Sequence, residues 1–231
     1  MHQIIVGNLV VDVVRKKIKN VHLAVYPPDG RVRVAAPLRI DDEAVRLMVI
    51  SRFAWIKKHQ TKFQNQNRQT PREYVSGESH YFKGERYLLE VIYEDAPPRV
   101  AMHTKRYLTL YARPHSDQNQ RAKILTEWYR QQLKAEIPTL LEKWLPIMGV
   151  SVQDWGVKQM KTKWGTCNIA ARRIWLNLEL IKKPAHCLEY VLVHELVHLL
   201  ERNHNARFRA YMDKFLPQWE FFKSELNKFI L

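Results

Sequence analysis

Five consecutive residues, His194-Glu195-Leu196-Val197-His198, place two imidazoles and a carboxylate within little more than one helical turn. On an α-helix, positions four apart lie on one face a turn apart, so both imidazoles can be aimed at a single ion. Glu195 is rotated from that face by about 100°, so it need not ligate and can address a water beside the ion. Zn2+ held by three protein ligands keeps a fourth position for such a water and lowers its pKa to about 7. A carboxylate in the place of Glu195 then takes the proton as the water attacks a carbonyl, while the metal offsets the oxyanion charge. The pattern predicts a zinc site with His194 and His198 as ligands and Glu195 as general base.

The flanks of the motif are apolar almost all round, from Leu188 and Val191 to Leu199 and Leu200. Such a helix must be buried, and ionisable groups on it are costly without a compensating partner, of which a metal is one. The competing reading is a core helix whose histidines are satisfied by hydrogen bonds. For the third ligand the spacing favours His204, because Arg202-Asn203 can end the helix and Asn203 tolerates a left-handed turn. Glu201, one turn beyond His198 in a continuing helix, and Glu220 or Glu225 remain rivals that would make a His-His-Glu site.

The elements that must carry this site follow from periodicity. Val21, Leu23 and Val25 alternate, Pro27-Pro28-Asp29-Gly30 supplies a turn, and Val32 and Val34 resume the alternation, which predicts a hairpin. Asp41 or Asp42 can cap a helix through Val45, Met48, Phe53 and Ile56, and the polar run from Gln60 to Thr70 reads as a linker or frayed end. Strand signals return from Tyr74 to Tyr93 and around Tyr107–Tyr111. Ile124, Trp128, Leu133, Ile137, Leu141 and Leu145 then make a helical stripe, which Pro138 can kink or divide and Gly149 can close. Short strands near Val152–Val157 and Ile174–Leu178 precede three helices over Ala185–Glu201, Asn205–Phe215 and Gln218–Phe229. The expectation is an α+β chain, with a β-rich N-terminal subdomain over residues 1–115 and a helical core with a small sheet over 116–231.

At 231 residues, with 46% hydrophobic and 26% charged, the composition is that of an ordinary globular protein. Lysine and arginine number 38 against 23 acidic residues, a net charge of +15. That excess makes nucleic acid or another polyanion a possible partner, against a merely well-solvated basic surface. Two cysteines, Cys167 and Cys187, are too few for a disulfide scaffold and read as small buried hydrophobes rather than nucleophiles or ligands. The N-terminus reads as strand rather than signal peptide, and no apolar run approaches a membrane-spanning length, so the default compartment is the cytoplasm. The sequence does not indicate an oligomeric state.

The combination of His194-Glu195-Leu196-Val197-His198 with Asn203-His204-Asn205-Ala206-Arg207-Phe208 resembles the YgjP-like metallopeptidase family. Met160-Lys161-Thr162-Lys163-Trp164-Gly165-Thr166-Cys167, the strand from Ile174 to Leu178, and Gly77-Glu78 with Tyr81 to Tyr87 are similar to further segments of that family. The resemblance spans most of the chain. It implies a zincin-like peptidase core acting on peptide or protein substrates, with His194, His198 and His204 as zinc ligands and Glu195 as base. The helix motif with its later histidine also resembles SprT-like proteases, which act on protein crosslinked to DNA. A DNA-recruited protease, or a basic nucleic-acid-associated protein with a structural metal, is therefore the alternative. Metzincins space a third histidine similarly but need a glycine where Glu201 stands, which argues against membership.

Within that frame Trp164, Asn177 and Tyr211 are candidate substrate or oxyanion contacts, as is Arg207, and Asp213 is a candidate to orient a ligand histidine. The strand Ile174–Leu178 is where an edge for an extended peptide would be expected. His80, His103 and His115 lack ligand spacing and read as surface residues, and Trp128, Trp144, Trp155 and Trp219 as packing.

Overall fold

A computed structural model describes residues 2–26, 29–64, 72–104 and 106–228. The chain divides into two compact units, Met1–Thr70 and Pro71–Leu231.

In the first unit, β1 (His2–Val6), β2 (Leu9–Lys16), β3 (His22–Tyr26) and β4 (Arg31–Pro37) form one sheet in the order β1-β2-β4-β3. The β2–β4 pair is parallel and the other two are antiparallel. The predicted hairpin is β3–β4; Gly30 takes the positive φ of +74° its turn requires, and Pro27-Pro28 lie outside the described residues. The alternation of β4 turns Val32, Val34 and Ala36 onto Val45 and Val49 of helix α1 (Asp42–Ser51) and Ile56 of α2 (Phe53–Gln64). Asp41 caps α1 by accepting from the Ala44 amide at 2.8 Å. The single predicted helix is two, because α1 ends at Arg52. Residues 65–70 of the predicted linker lie outside the described residues.

The second unit holds two sheets. β5 (Ser79–Phe82), β6 (Glu85–Tyr93), β7 (Arg99–Ala101) and β8 (Tyr107–Ala112) pair in the order β5-β6-β8-β7. After helix α3 (Gln118–Met148) come β9 (Asp154–Lys158), β10 (Gly165–Asn168) and β11 (Arg173–Asn177), in the order β10-β11-β9. A 3-10 turn over Leu178–Lys182 then leads into α4 (Ala185–Val197), α5 (Ala206–Phe215) and α6 (Trp219–Lys228).

α3 starts in a capping box between Asp117 and Gln120 and ends at Gly149 in the left-handed conformation, φ 65°. It runs unbroken past Pro138 and Pro146. Its buried stripe of Leu125, Tyr129, Leu133, Ile137 and Leu141 shares one core with Leu89, Leu108 and Leu110 of the β5–β8 sheet and with α4. That shared core is why the division falls at residue 70 rather than the predicted 115. The change from strand to helical periodicity before Asp117 is a change of element inside one unit.

The α+β class is as expected, with three small sheets and six α-helices among the described residues. The four named tryptophans are packing residues of the second unit's core. His80 corrects the sequence reading: it is buried, 2% exposed, because β5 turns it inward, whereas His103 and His115 are exposed as predicted. No described helix is long and apolar enough to cross a membrane.

Candidate metal centre

α4 carries the His-Glu-Leu-Val-His motif and is apolar on nearly every face, with Leu188, Val191, Leu192, Val193, Leu196 and Val197 all buried. Burial from all sides holds it rigidly, which suits a helix that must fix two side chains to fractions of an ångström. His198 is its C-cap residue, and the chain continues through tighter turns, Leu199 to Leu196 and Leu200 to Val197. Asn203 is not among the residues with positive φ, so these turns, rather than a left-handed Asn203, bring the chain back. Asn205 then caps α5 by accepting from the Phe208 amide at 3.0 Å. His204 is thereby pinned between two helix ends.

The nitrogens of His194, His198 and His204 lie within 4.8 Å of one another. Nε2 of His204 is 2.9 Å from Nε2 of His194. Nδ1 of His198 faces the Glu201 carbonyl at 3.2 Å and donates to it, leaving the Nε2 lone pair free. Nδ1 of His194 is buried without a partner. Phe208, buried on α5, sits 4.7 to 4.9 Å from all three imidazole rings and closes the site from behind. The sequence reading met Phe208 only as the last residue of a family segment; its spacing four after His204 on a new helix was the available signal.

Burial pushes the His194 imidazole down to about 3 and lowers His198 as well, so both stay neutral with lone pairs available. Glu195, 5% exposed, is pushed up to about 8 by burial, opposed by the charge of Lys163. Three converging imidazoles with an adjacent carboxylate fit a divalent ion of the zinc type, whose charge would draw Glu195 back toward its ionised form.

Gly165 of β10 lies on top of Glu195. A Cβ there would stand 2.6 Å from Glu195 Oε1 and 2.9 Å from Val191 Cγ1, so only glycine fits. Two lobes of one cleft open on either side of this contact. One runs past Trp164, Tyr190 and Leu226, the other past Thr166, Cys167, His198 and His204, and both share Lys163, Gly165, His194 and Glu195.

β11 is the central strand of its sheet, so the free edge beside the cleft belongs to β10, not to the strand predicted for it. Trp164 lines the cleft. Asn177 does not reach it. The residue is fully buried, its Nδ2 donates to the carbonyls of Met160 (2.9 Å) and Lys163 (2.7 Å), and its Oδ1 accepts from Glu179 (3.2 Å). It shapes the wall that ends in Trp164 instead of touching substrate. Tyr211 is turned toward Arg207, 3.4 Å away, and Phe215, outside the lining of either lobe. Asp213 accepts from Trp219 Nε1 at 2.7 Å rather than orienting a histidine.

None of the rival carboxylates is grouped with the three imidazoles. Glu201 accepts from the Asn203 amide and lies 4.0 Å from Arg207, Glu220 is exposed, and Glu225 accepts from His186 beside Cys187. Burial raises the thiols of Cys167 to about 11 and Cys187 to about 12, so both remain protonated, in keeping with small hydrophobes.

No curated protein sequence matches the chain. Among solved structures it is similar to the metallopeptidase zymogen abylysin of Pyrococcus abyssi, at 20% identity, covering 39% of this chain and 90% of that one with a TM-score of 0.37. It is also similar to the metallopeptidase zymogen jannalysin of Methanocaldococcus jannaschii, at 18% identity, covering 42% and 94% with a TM-score of 0.35. The YgjP-like metallopeptidase domain matches residues 19–229, nearly the whole length, and the chain belongs to that family.

Proposed function

We propose that the chain is a zinc-dependent peptidase in which His194, His198 and His204 hold the metal and Glu195 is the general base. The observation that carries this reading is the convergence of three imidazoles beside a buried carboxylate, in a cleft bordered by an unpaired strand edge. When bound, zinc would supply Lewis acidity to the attacking water and to the scissile carbonyl.

The rest is done by the chain's own residues. An extended peptide backbone pairs with the free side of β10, which sets the scissile bond over Glu195. Glu195 takes the proton of the attacking water and returns it to the departing amine. Its burial shields that proton from solvent while it is held. Gly165 keeps the space above the carboxylate free of a side chain. Phe208 keeps the imidazoles from turning away.

Peptide cleavage by the purified, zinc-loaded chain and its Glu195→Gln variant tests this. Loss of the base should cost about 100- to 10,000-fold in kcat while stoichiometric zinc is retained; His194→Ala, His198→Ala and His204→Ala should each lose the metal. Full activity in Glu195→Gln, or purified protein that binds no stoichiometric divalent ion, would refute the assignment.

A further inference from the structure

Glu195 aside, the charged side chains that line the two lobes are cations. Lys163 lines both lobes beside Glu195, Lys223 of α6 lines the first, and Arg202, just after the α4 turns, lines the second. Apart from Glu195 itself, no acidic residue among the described ones lines either lobe. Glu201 borders only the far end of the groove along β10, and there it faces Arg207 at 4.0 Å. Lys163, Lys223 and Arg202 are all exposed, and among the described residues none of them is in an ion pair. Lys163 and Lys223 line the same lobe as His194 and Glu195, so both cations border the reacting centre.

We propose that this cationic rim selects acidic substrates, namely extended peptides carrying aspartate or glutamate on both sides of the cleaved bond. The inference rests on the peptidase reading and names its substrate class. A peptide laid along β10 crosses from one lobe to the other past the shared Lys163. Its side chains alternate above and below the strand plane, so residues one or two positions either side of the scissile bond meet Lys223 and Lys163 in one lobe and Arg202 in the other. Tyr190, Val191 and Leu226 add apolar surface to the first lobe, suited to a hydrophobic residue beside the acidic ones. None of the three cations has to leave an ion pair to engage a carboxylate, and a cleft lined by one sign of charge draws oppositely charged substrate toward it.

Three peptides of one apolar-centred sequence, with Glu, Gln or Lys at the positions flanking the central residue, are assayed for kcat/KM with the zinc-loaded full chain. The Glu peptide should exceed the Gln peptide about tenfold and the Lys peptide further still. The difference should shrink in high salt, where exposed charges are screened. Arg202→Glu and Lys223→Glu should each reverse the preference on their own side of the bond. Equal cleavage of the Glu and Gln peptides overturns the inference while leaving the peptidase reading intact. Should no peptide be cleaved, the peptidase reading fails, and peptide affinity for the zinc-loaded Glu195→Gln chain decides the substrate class. Tighter binding of the Glu peptide upholds it, and equal binding of Glu and Lys peptides overturns it. A single-stranded oligonucleotide that blocks the cleft at concentrations well below the Glu peptide's KM, with relief in Arg202→Glu and Lys223→Glu, assigns the rim to nucleic acid and also overturns it.

Discussion

Gly165 and Glu195 share a space too small for a methyl group. Because Val191 bounds it on the helix side, Gly165→Ala must displace either the β10 backbone or the carboxylate. We expect it to lower kcat about 100-fold, the cost of roughly an ångström of misplacement, with zinc content unchanged; activity and metal assays on one preparation check this. His80 gives a different prediction. Burial, aided by the charge of Arg72, holds its imidazole down at about 4 against 6.5 for a free histidine. Between those pH values the unfolded chain binds the extra proton and the fold does not. Stability is therefore full above about 6.5 and falls as the pH drops toward 4, by on the order of 3 kcal/mol. Denaturant unfolding of the metal-free chain across that range should show a slope in the wild type that His80→Leu reduces, the remainder coming from His194 and His198, whose imidazoles are also held down. At this scale the sequence was most informative where partners are close along the chain, as His194, Glu195 and His198 are. It was least informative for Asn177, whose carbonyl partners Met160 and Lys163 stand in a loop 17 and 14 residues earlier. An asparagine looks the same on the page whether it meets substrate or backbone.

Between α4 and α5 the site depends on a short connection held by caps. Asn205→Ala removes the side-chain acceptor for the Phe208 amide and should cost about 1 kcal/mol. Since His204 immediately precedes that cap and Phe208 backs all three imidazoles, zinc affinity should fall with stability. Competition with a chelator and thermal unfolding would measure the two together; affinity unchanged in a destabilised variant would show that the cap does not position His204. Helix and strand periods marked most elements correctly, including the caps at Asp41 and Gly149. What they did not mark was rank within a sheet. β11 is richer in apolar residues than β10 and read as the substrate edge. Yet an apolar strand is one covered on both sides, and the edge is the four-residue segment Gly165–Asn168, too short and polar to announce itself.

The two units have separate cores, one built on Val11, Val34 and Val49 and the other on Leu108, Leu133 and Leu192. Residues 71–231 produced alone should therefore unfold in a single cooperative transition and bind one zinc ion. Retention of both upholds independent folding, and a molten or insoluble product would show that the first unit is required. The boundary was misread because composition tracks element type, whereas a unit is defined by which apolar faces close on each other. The free edge of β10 also bears on the molecule in solution. An unpaired strand edge cannot tell a substrate backbone from the same edge on another copy. With a charge of +15 on each chain, two copies repel before their edges meet. The protein's monodispersity should thus be conditional, weakening in concentrated salt or as the pH approaches its isoelectric point near 9.9. Storage in dilute, near-neutral buffer should preserve it.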